Sequence, residues 1–108
     1  MSIAFVEYQI LPNYRPDYSK WMDGVRANYP ELEWLEGTDQ PGLFVELWHV
    51  SYEEYESLKK ARQLTVNDEN EQALPASSKY SMTDWEQLGQ WVKGGAAKIH
   101  IWHFGKVK

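Results

Sequence analysis

The heptapeptide Lys98-Ile99-His100-Ile101-Trp102-His103-Phe104 constrains this chain more than any other stretch. It alternates with a period of two. One side shows Ile99, Ile101 and His103; the other shows His100, Trp102 and Phe104. A strand with one wet side normally alternates apolar with charged residues. Here both sides carry rings, so both faces of the sheet that this strand joins must meet something. One face meets the core. What the other meets decides what the chain does.

The rest of the pattern supplies that sheet. Residues 3–11 alternate and are rich in β-formers, and Pro12 ends them. Residues 13–29 read as a helix with Pro16 in the first turn, and Tyr14, Tyr18, Trp21, Met22, Val25 and Tyr29 form one apolar stripe. Pro30 stops it. Residues 31–37 and 43–50 read as two strands joined by the turn-forming run 38–42. Ser51-Tyr52-Glu53-Glu54 has the form of a capping box and opens a second helix to about residue 64, with Tyr55, Leu58 and Ala61 or Arg62 inward. Residues 67–78 are polar and broken by Pro75, longer than most connections in a compact domain. Thr83-Asp84-Trp85-Glu86 is a second capping box, opening a short helix that Gly94-Gly95 end. The last strand is expected over 97–104.

The order β-α-β-β-α-(short α)-β predicts an α+β fold, ferredoxin-like, in one domain spanning 1–108. Right-handed crossovers set the strand order 4-1-3-2, with both main helices on one face of an antiparallel sheet.

Faces turn this pattern into a candidate site. Ala4, Val6, Tyr8 and Ile10 supply an apolar row for the helix side, as do Leu43, Val45 and Leu47, and Ile99 and Ile101. The opposite face is then expected to hold Phe5, Glu7, Gln9, Phe44, Glu46, Trp48, His100, Trp102 and Phe104, joined by Trp34 and Glu36. That set has too many rings for a solvent surface and too many ionisable groups for a plain core. Two outcomes follow: the face packs on the same face of a second copy, or it lines a pocket for a flat or apolar ligand.

Composition excludes other classes. There is no cysteine, so disulfides and thiolate zinc sites are out, which fits a reducing cytoplasm. Net charge is −5, which argues against nucleic acid or an anionic membrane as partner. The one basic cluster, Lys59-Lys60-Ala61-Arg62, reads as the solvated face of a helix. The start lacks a signal-peptide pattern, and no stretch is long enough to span a bilayer. No cofactor or metal is called for: His100 and His103 fall on opposite faces by period-two counting, away from a common site with His49.

By order of strands and helices over nearly its full length, the chain resembles the dimeric α/β-barrel superfamily. This group includes antibiotic-biosynthesis-type monooxygenases, heme-degrading monooxygenases, and stress-responsive barrel and NIPSNAP-type domains. The resemblance implies a homodimer with sheets face to face. Heme-degrading members use a strand asparagine, a tryptophan and a helical histidine. This chain has Gln9 near that strand position and carries His49, His100 and His103 on or at the ends of strands, so no catalytic residue carries over from them.

The expected function is a small-molecule-binding domain of this type. Its monooxygenase-like form needs a dry pocket and a positioned acid or base. His100 and Glu7 are the candidate pair, with Phe5, Phe44, Glu46, Trp48 and Trp102 as the ligand-binding set. Glu7 and Glu46 read as neighbouring carboxylates of raised pKa, or as salt-bridging groups. The alternative is a non-catalytic homodimer in which the aromatic face only makes the interface and His100 is a hydrogen-bonded interface residue.

Overall fold

The computed structural model describes residues 2–67, 80, 83 and 85–107. Four strands, β1 (Ser2–Gln9), β2 (Glu33–Glu36), β3 (Leu43–His49) and β4 (His100–Gly105), form one sheet in the order β2-β3-β1-β4, and every neighbouring pair is antiparallel. Three helices, α1 (Arg15–Asn28), α2 (Tyr52–Asn67) and α3 (Glu86–Trp91), accompany it. The fold is α+β. Among the described residues no helix is long and apolar enough to cross a membrane.

Local chemistry explains the boundaries. Pro12 has no N–H to continue β1 and instead opens a 3-10 turn, Pro12–Tyr14, that runs into α1. Tyr18, Met22, Val25 and Tyr29 of the predicted stripe are buried, while Tyr14 and Trp21 pack against the core from its margin. In the β2–β3 turn, Gly37 N–H donates to the Leu43 carbonyl (2.8 Å) and Leu43 N–H to that of Gln40 (3.1 Å). Gly42 closes the turn at φ 93°, a conformation that favours glycine.

The capping box at α2 is formed reciprocally. Ser51 Oγ accepts from the Glu54 N–H (3.1 Å), and Glu54 Oε1 accepts from the Ser51 N–H (2.9 Å). Ser51→Ala is expected to lower stability by about 1 kcal/mol, read by urea titration. No change would mean that α2 is held by tertiary packing alone.

Three expectations need correction. α3 begins at Glu86 with Trp85 as its N-cap and no side-chain cap bond, so Thr83 does not open it; Asp84 lies outside the described residues. β4 begins at His100 because Gly94 and Gly95 take φ 88° and 84° and the chain coils through a 3-10 turn, Ala96–Lys98, first. The polar run expected over 67–78 lies outside the described residues beyond Asn67.

The third correction concerns the sheet faces. Ala4 lies opposite Trp48, Val6 opposite Glu46 and Tyr8 opposite Phe44, and all six are buried on the helix side. β3 therefore turns Phe44, Glu46 and Trp48 inward and Leu43, Val45 and Leu47 outward, the reverse of the expectation. Trp34 and Glu36 of β2 pair with Glu46 and Phe44, so they too face the helices. A one-residue change of phase carries every side chain to the other face. On β1 and β4 the expected assignment holds: Ile101 lies beside Val6 and His103 beside Ala4, on the helix side.

Candidate functional site

The registers lay out the open face, which no helix covers among the described residues, as a grid. One row runs Glu33, Leu47, Phe5, Trp102; the next runs Leu35, Val45, Glu7, His100. Flanking rows hold His49, Ile3 and Phe104, and Leu43 and Gln9. The face has two halves. Over β2 and β3 it is aliphatic, with Leu35, Leu43, Val45 and Leu47. Over β1 and β4 it is aromatic and ionic, with Phe5, Glu7, His100, Trp102 and Phe104. Trp102 and Phe104 are 45% and 56% exposed, high values for the largest apolar side chains of a domain.

The aromatic half is ordered. The His100 ring stacks on Trp102 with centroids 5.6 Å apart and planes 6° off parallel. Phe5 meets Trp102 at 5.7 Å and Phe104 edge-on at 6.1 Å. Glu7 lies directly across from His100. Of the predicted site residues, the structure thus brings together Phe5, Glu7, His100 and Trp102. It separates from them Phe44, Glu46 and Trp48, which lie through the sheet on its other side.

The physical reason is what Glu46 meets there. Its carboxylate is fully buried. Arg62 of α2 holds it through two bonds, Nη1 to Oε1 (2.8 Å) and Nη2 to Oε2 (3.0 Å). Trp48 Nε1 donates to Oε1 (2.9 Å) and the Tyr8 hydroxyl donates to Oε2. The chain extends outward: the Tyr8 and Tyr18 hydroxyls share a bond (2.8 Å), and Trp34 Nε1 donates to the Tyr18 hydroxyl (2.8 Å). The Arg62 guanidinium also lies 4.3 Å from the Trp85 ring centre. Burial pushes the Glu46 pKa up, but the Arg62 charge and the four donated bonds outweigh it and hold the carboxyl below its ordinary range. Glu7 and Glu46 are therefore not an interacting pair: of the two readings Glu46 takes the salt-bridged one, with Arg62 of the same protomer and not across an interface, and its pKa falls where the paired-carboxylate reading has it rise. Arg62, expected in a solvated cluster, is 4% exposed.

Every lone-pair direction of Glu46 that a ligand would use is taken, so this cluster ties both main helices to the sheet and does not hold a ligand. Elsewhere, the exposed Arg15 forks onto Glu36 (2.6 and 2.7 Å), and Glu36 also accepts from the Gly42 N–H (2.9 Å). Beside them lies a small pocket of about 130 Å³ lined by Ile10, Pro12, Arg15, Pro41, Gly42 and Phe44. His49 bonds Glu33 on the rim of the open face. His103 stacks on Tyr55 at 4.7 Å under α2, remote from both other histidines by face. Among the described residues no three His, Asp or Glu side chains are placed to hold a metal ion.

Sequence reasoning missed the aliphatic half of the open face and the Arg62–Glu46 pair. The signal for the pair was present: a glutamate between two aromatic residues at period two, Phe44-Glu46-Trp48, together with an arginine at an inward helical position. No family model, no curated protein and no solved structure matches the chain.

Proposed function

We propose that the chain is a ferredoxin-like protomer of the dimeric α/β-barrel type. It pairs with a second copy through the open sheet face and holds a flat, apolar or aromatic small molecule between the two sheets. The observation that carries this reading is the unpartnered face itself. Strands about 4.8 Å apart and about seven residues long give it roughly 400 Å² in plan, and its apolar centre is of the order of the largest patch on a monomer, which is often functional. Its ionic groups are already neighbours in pairs, Glu33 with His49 and Glu7 beside His100, which leaves Phe5, Val45, Leu47 and Trp102 as a central apolar block. An apolar centre with a polar rim is how protein interfaces are built.

The two halves take different tasks. The aliphatic half supplies contact between copies. The aromatic half supplies the ligand walls, Phe5 and Trp102, with Glu7 and His100 as the groups that orient a polar substituent or exchange a proton with it. A monooxygenase-like reaction at this site would have the Glu7–His100 pair take a proton from an acidic C–H of an aromatic ligand; the carbanion reduces dioxygen and bonds it as a hydroperoxide on return of that proton, and loss of water across the C–H and O–O bonds leaves one oxygen on the ligand as a carbonyl. The plain structural dimer is favoured by one observation: with Phe44, Glu46 and Trp48 turned inward, the half over β2 and β3 carries only aliphatic groups at its centre.

One pair of measurements tests the reading. Leu47→Lys places a charge at the centre of the face and is expected to halve the mass in solution by sedimentation equilibrium. Naphthol titrated into the wild-type protein is expected to quench tryptophan emission, Glu7→Gln to weaken that binding at least ten-fold without changing the mass, and His100→Ala to weaken it at least ten-fold. An unchanged mass for Leu47→Lys defeats the open-face dimer. Loss of mass without any naphthol binding leaves the structural dimer as the function.

A further inference from the structure

The sheet has two backbone edges, and they are protected unequally. β2 is four residues long, follows Pro30, and carries Glu33, hydrogen-bonded to His49, and Glu36, paired with Arg15. Short length and charge are how edges are kept from pairing. β4 is six residues long and has neither a charged residue nor a proline between His100 and Gly105. Among the described residues it pairs only with β1, so its outer N–H and C=O groups face away from the sheet. Rings flank this edge on both sides: Trp102 and Phe104 on the open face, His103 against Tyr52 and Tyr55 on the helix side.

We infer that the β4 edge pairs antiparallel with the β4 edge of a second copy, about a two-fold axis at Trp102. This contact uses backbone edge and not sheet face, so it is separate from the open-face dimer. The occupant follows from the strand itself. A two-fold at Trp102 sets Trp102 against its own copy, His100 against the second copy's Phe104, and Ile101 against the second copy's His103. Each opposed pair lies on one face of the joined sheet and matches ring with ring or ring with aliphatic group, the cross-strand pairs that stabilise antiparallel ladders. The extended sheet stays antiparallel throughout. Growth then stops, because each joined sheet ends in two guarded β2 edges; an isologous contact of this kind closes on itself.

The two ends of β4 carry like charges. Lys98, in the 3-10 turn that leads into β4, and Lys106, just past its end, are both exposed, and a two-fold at Trp102 brings the start of one strand near the end of the other. This feature supplies a test that a contact through the sheet face does not share. Lys98→Glu replaces two repulsions by two attractions and is expected to tighten edge pairing by about five-fold, a surface-pair magnitude. Lys98→Glu with Lys106→Glu restores the repulsion and is expected to return it to the wild-type value.

The measurement is sedimentation equilibrium on wild type, Leu47→Lys, and the lysine variants in the Leu47→Lys background. Wild type is expected to reach four copies and Leu47→Lys two, with amide exchange along His100–Gly105 slowing as protein concentration rises. A monomeric Leu47→Lys beside a dimeric wild type overturns the edge contact and leaves the open-face reading standing. A Leu47→Lys protein with the same two copies as wild type removes the open-face reading, and the lysine variants then decide the edge. Lys98→Glu without effect on, or with loosening of, the Leu47→Lys dimer overturns the inference.

Discussion

Arg62→Met is expected to lower the unfolding free energy by about 3–5 kcal/mol, because it leaves the Glu46 carboxylate buried without its counter-charge. Glu46 lies at 0% exposure, so solvent cannot replace the guanidinium. The loss has two sources. Two short bonds from Arg62 disappear, and the negative charge stays in a low-dielectric site where, among the described residues, Tyr8 and Trp48 remain to donate to it. Glu46→Gln in the same chain removes the stranded charge but keeps an oxygen for the Trp48 indole N–H. The double variant Glu46→Gln/Arg62→Met is therefore expected to regain at least about 1 kcal/mol over Arg62→Met, an interaction energy of the size found for contacting residues. Urea denaturation of the wild type, both single variants and the double variant measures the cycle. A double variant no more stable than Arg62→Met would show that Glu46 carries no charge in the fold.

The same cluster shows where the sequence was legible. β1 announced its faces, because Ala4, Val6, Tyr8 and Ile10 alternate with Phe5, Glu7 and Gln9, and the structure buries the first set. β3 misled, because hydropathy ranks Leu43, Val45 and Leu47 above a row containing Glu46. The observed phase buries the two large rings Phe44 and Trp48, and Glu46 between them finds an arginine, a tyrosine and an indole, while Leu43, Val45 and Leu47 share the open face. Arg62 lies 16 residues beyond Glu46 and on another element, so no local pattern links them. The candidate site was legible to the same degree. Phe5, Glu7, His100 and Trp102 share a face because they sit on β1 and β4, whose phase was read correctly. Phe44, Glu46 and Trp48 were lost with the phase of β3. Capping by Ser51 and Glu54 was visible because it is a contact three residues apart; the matching pattern at Thr83 failed because Trp85 is drawn into the core between Trp48 and Arg62 and sets the helix start itself.

Stability should form a plateau between about pH 4.5 and pH 10 and fall on both sides, for separate reasons that variants can isolate. On the acid side the group is Glu46. Its folded pKa lies below the ordinary 4.5, since Arg62 and the donated bonds overcome the effect of burial. Above 4.5 both folded and unfolded chains hold the carboxylate, and the contribution is complete. As the pH drops below 4.5 the unfolded chain takes a proton that the folded chain refuses, so stability declines until the folded carboxyl is also protonated. Glu36 adds to this limb, held at about 2 first by the Arg15 bonds and then by the Gly42 N–H, but it is solvent-facing and contributes less. On the alkaline side the groups are Tyr8, Tyr18 and Tyr80. Burial, then the neighbouring Glu46 charge, raises the first two above the ordinary 10.0, and burial, then the Glu54 charge, raises Tyr80. Above pH 10 the unfolded chain loses protons that the folded chain keeps, and stability again declines. Urea midpoints from pH 2 to pH 11 trace the curve. Glu46→Gln/Arg62→Met should flatten the acid limb, because the titrating carboxylate is gone. It should leave most of the alkaline limb, because burial of the two phenols outranks the Glu46 charge among its causes. Tyr18→Phe should keep the acid limb and make the alkaline limb shallower, with Tyr8 and Tyr80 carrying what remains. An acid limb as steep in the double variant as in the wild type would move the control of acid stability away from the buried pair and onto surface carboxylates such as Glu36.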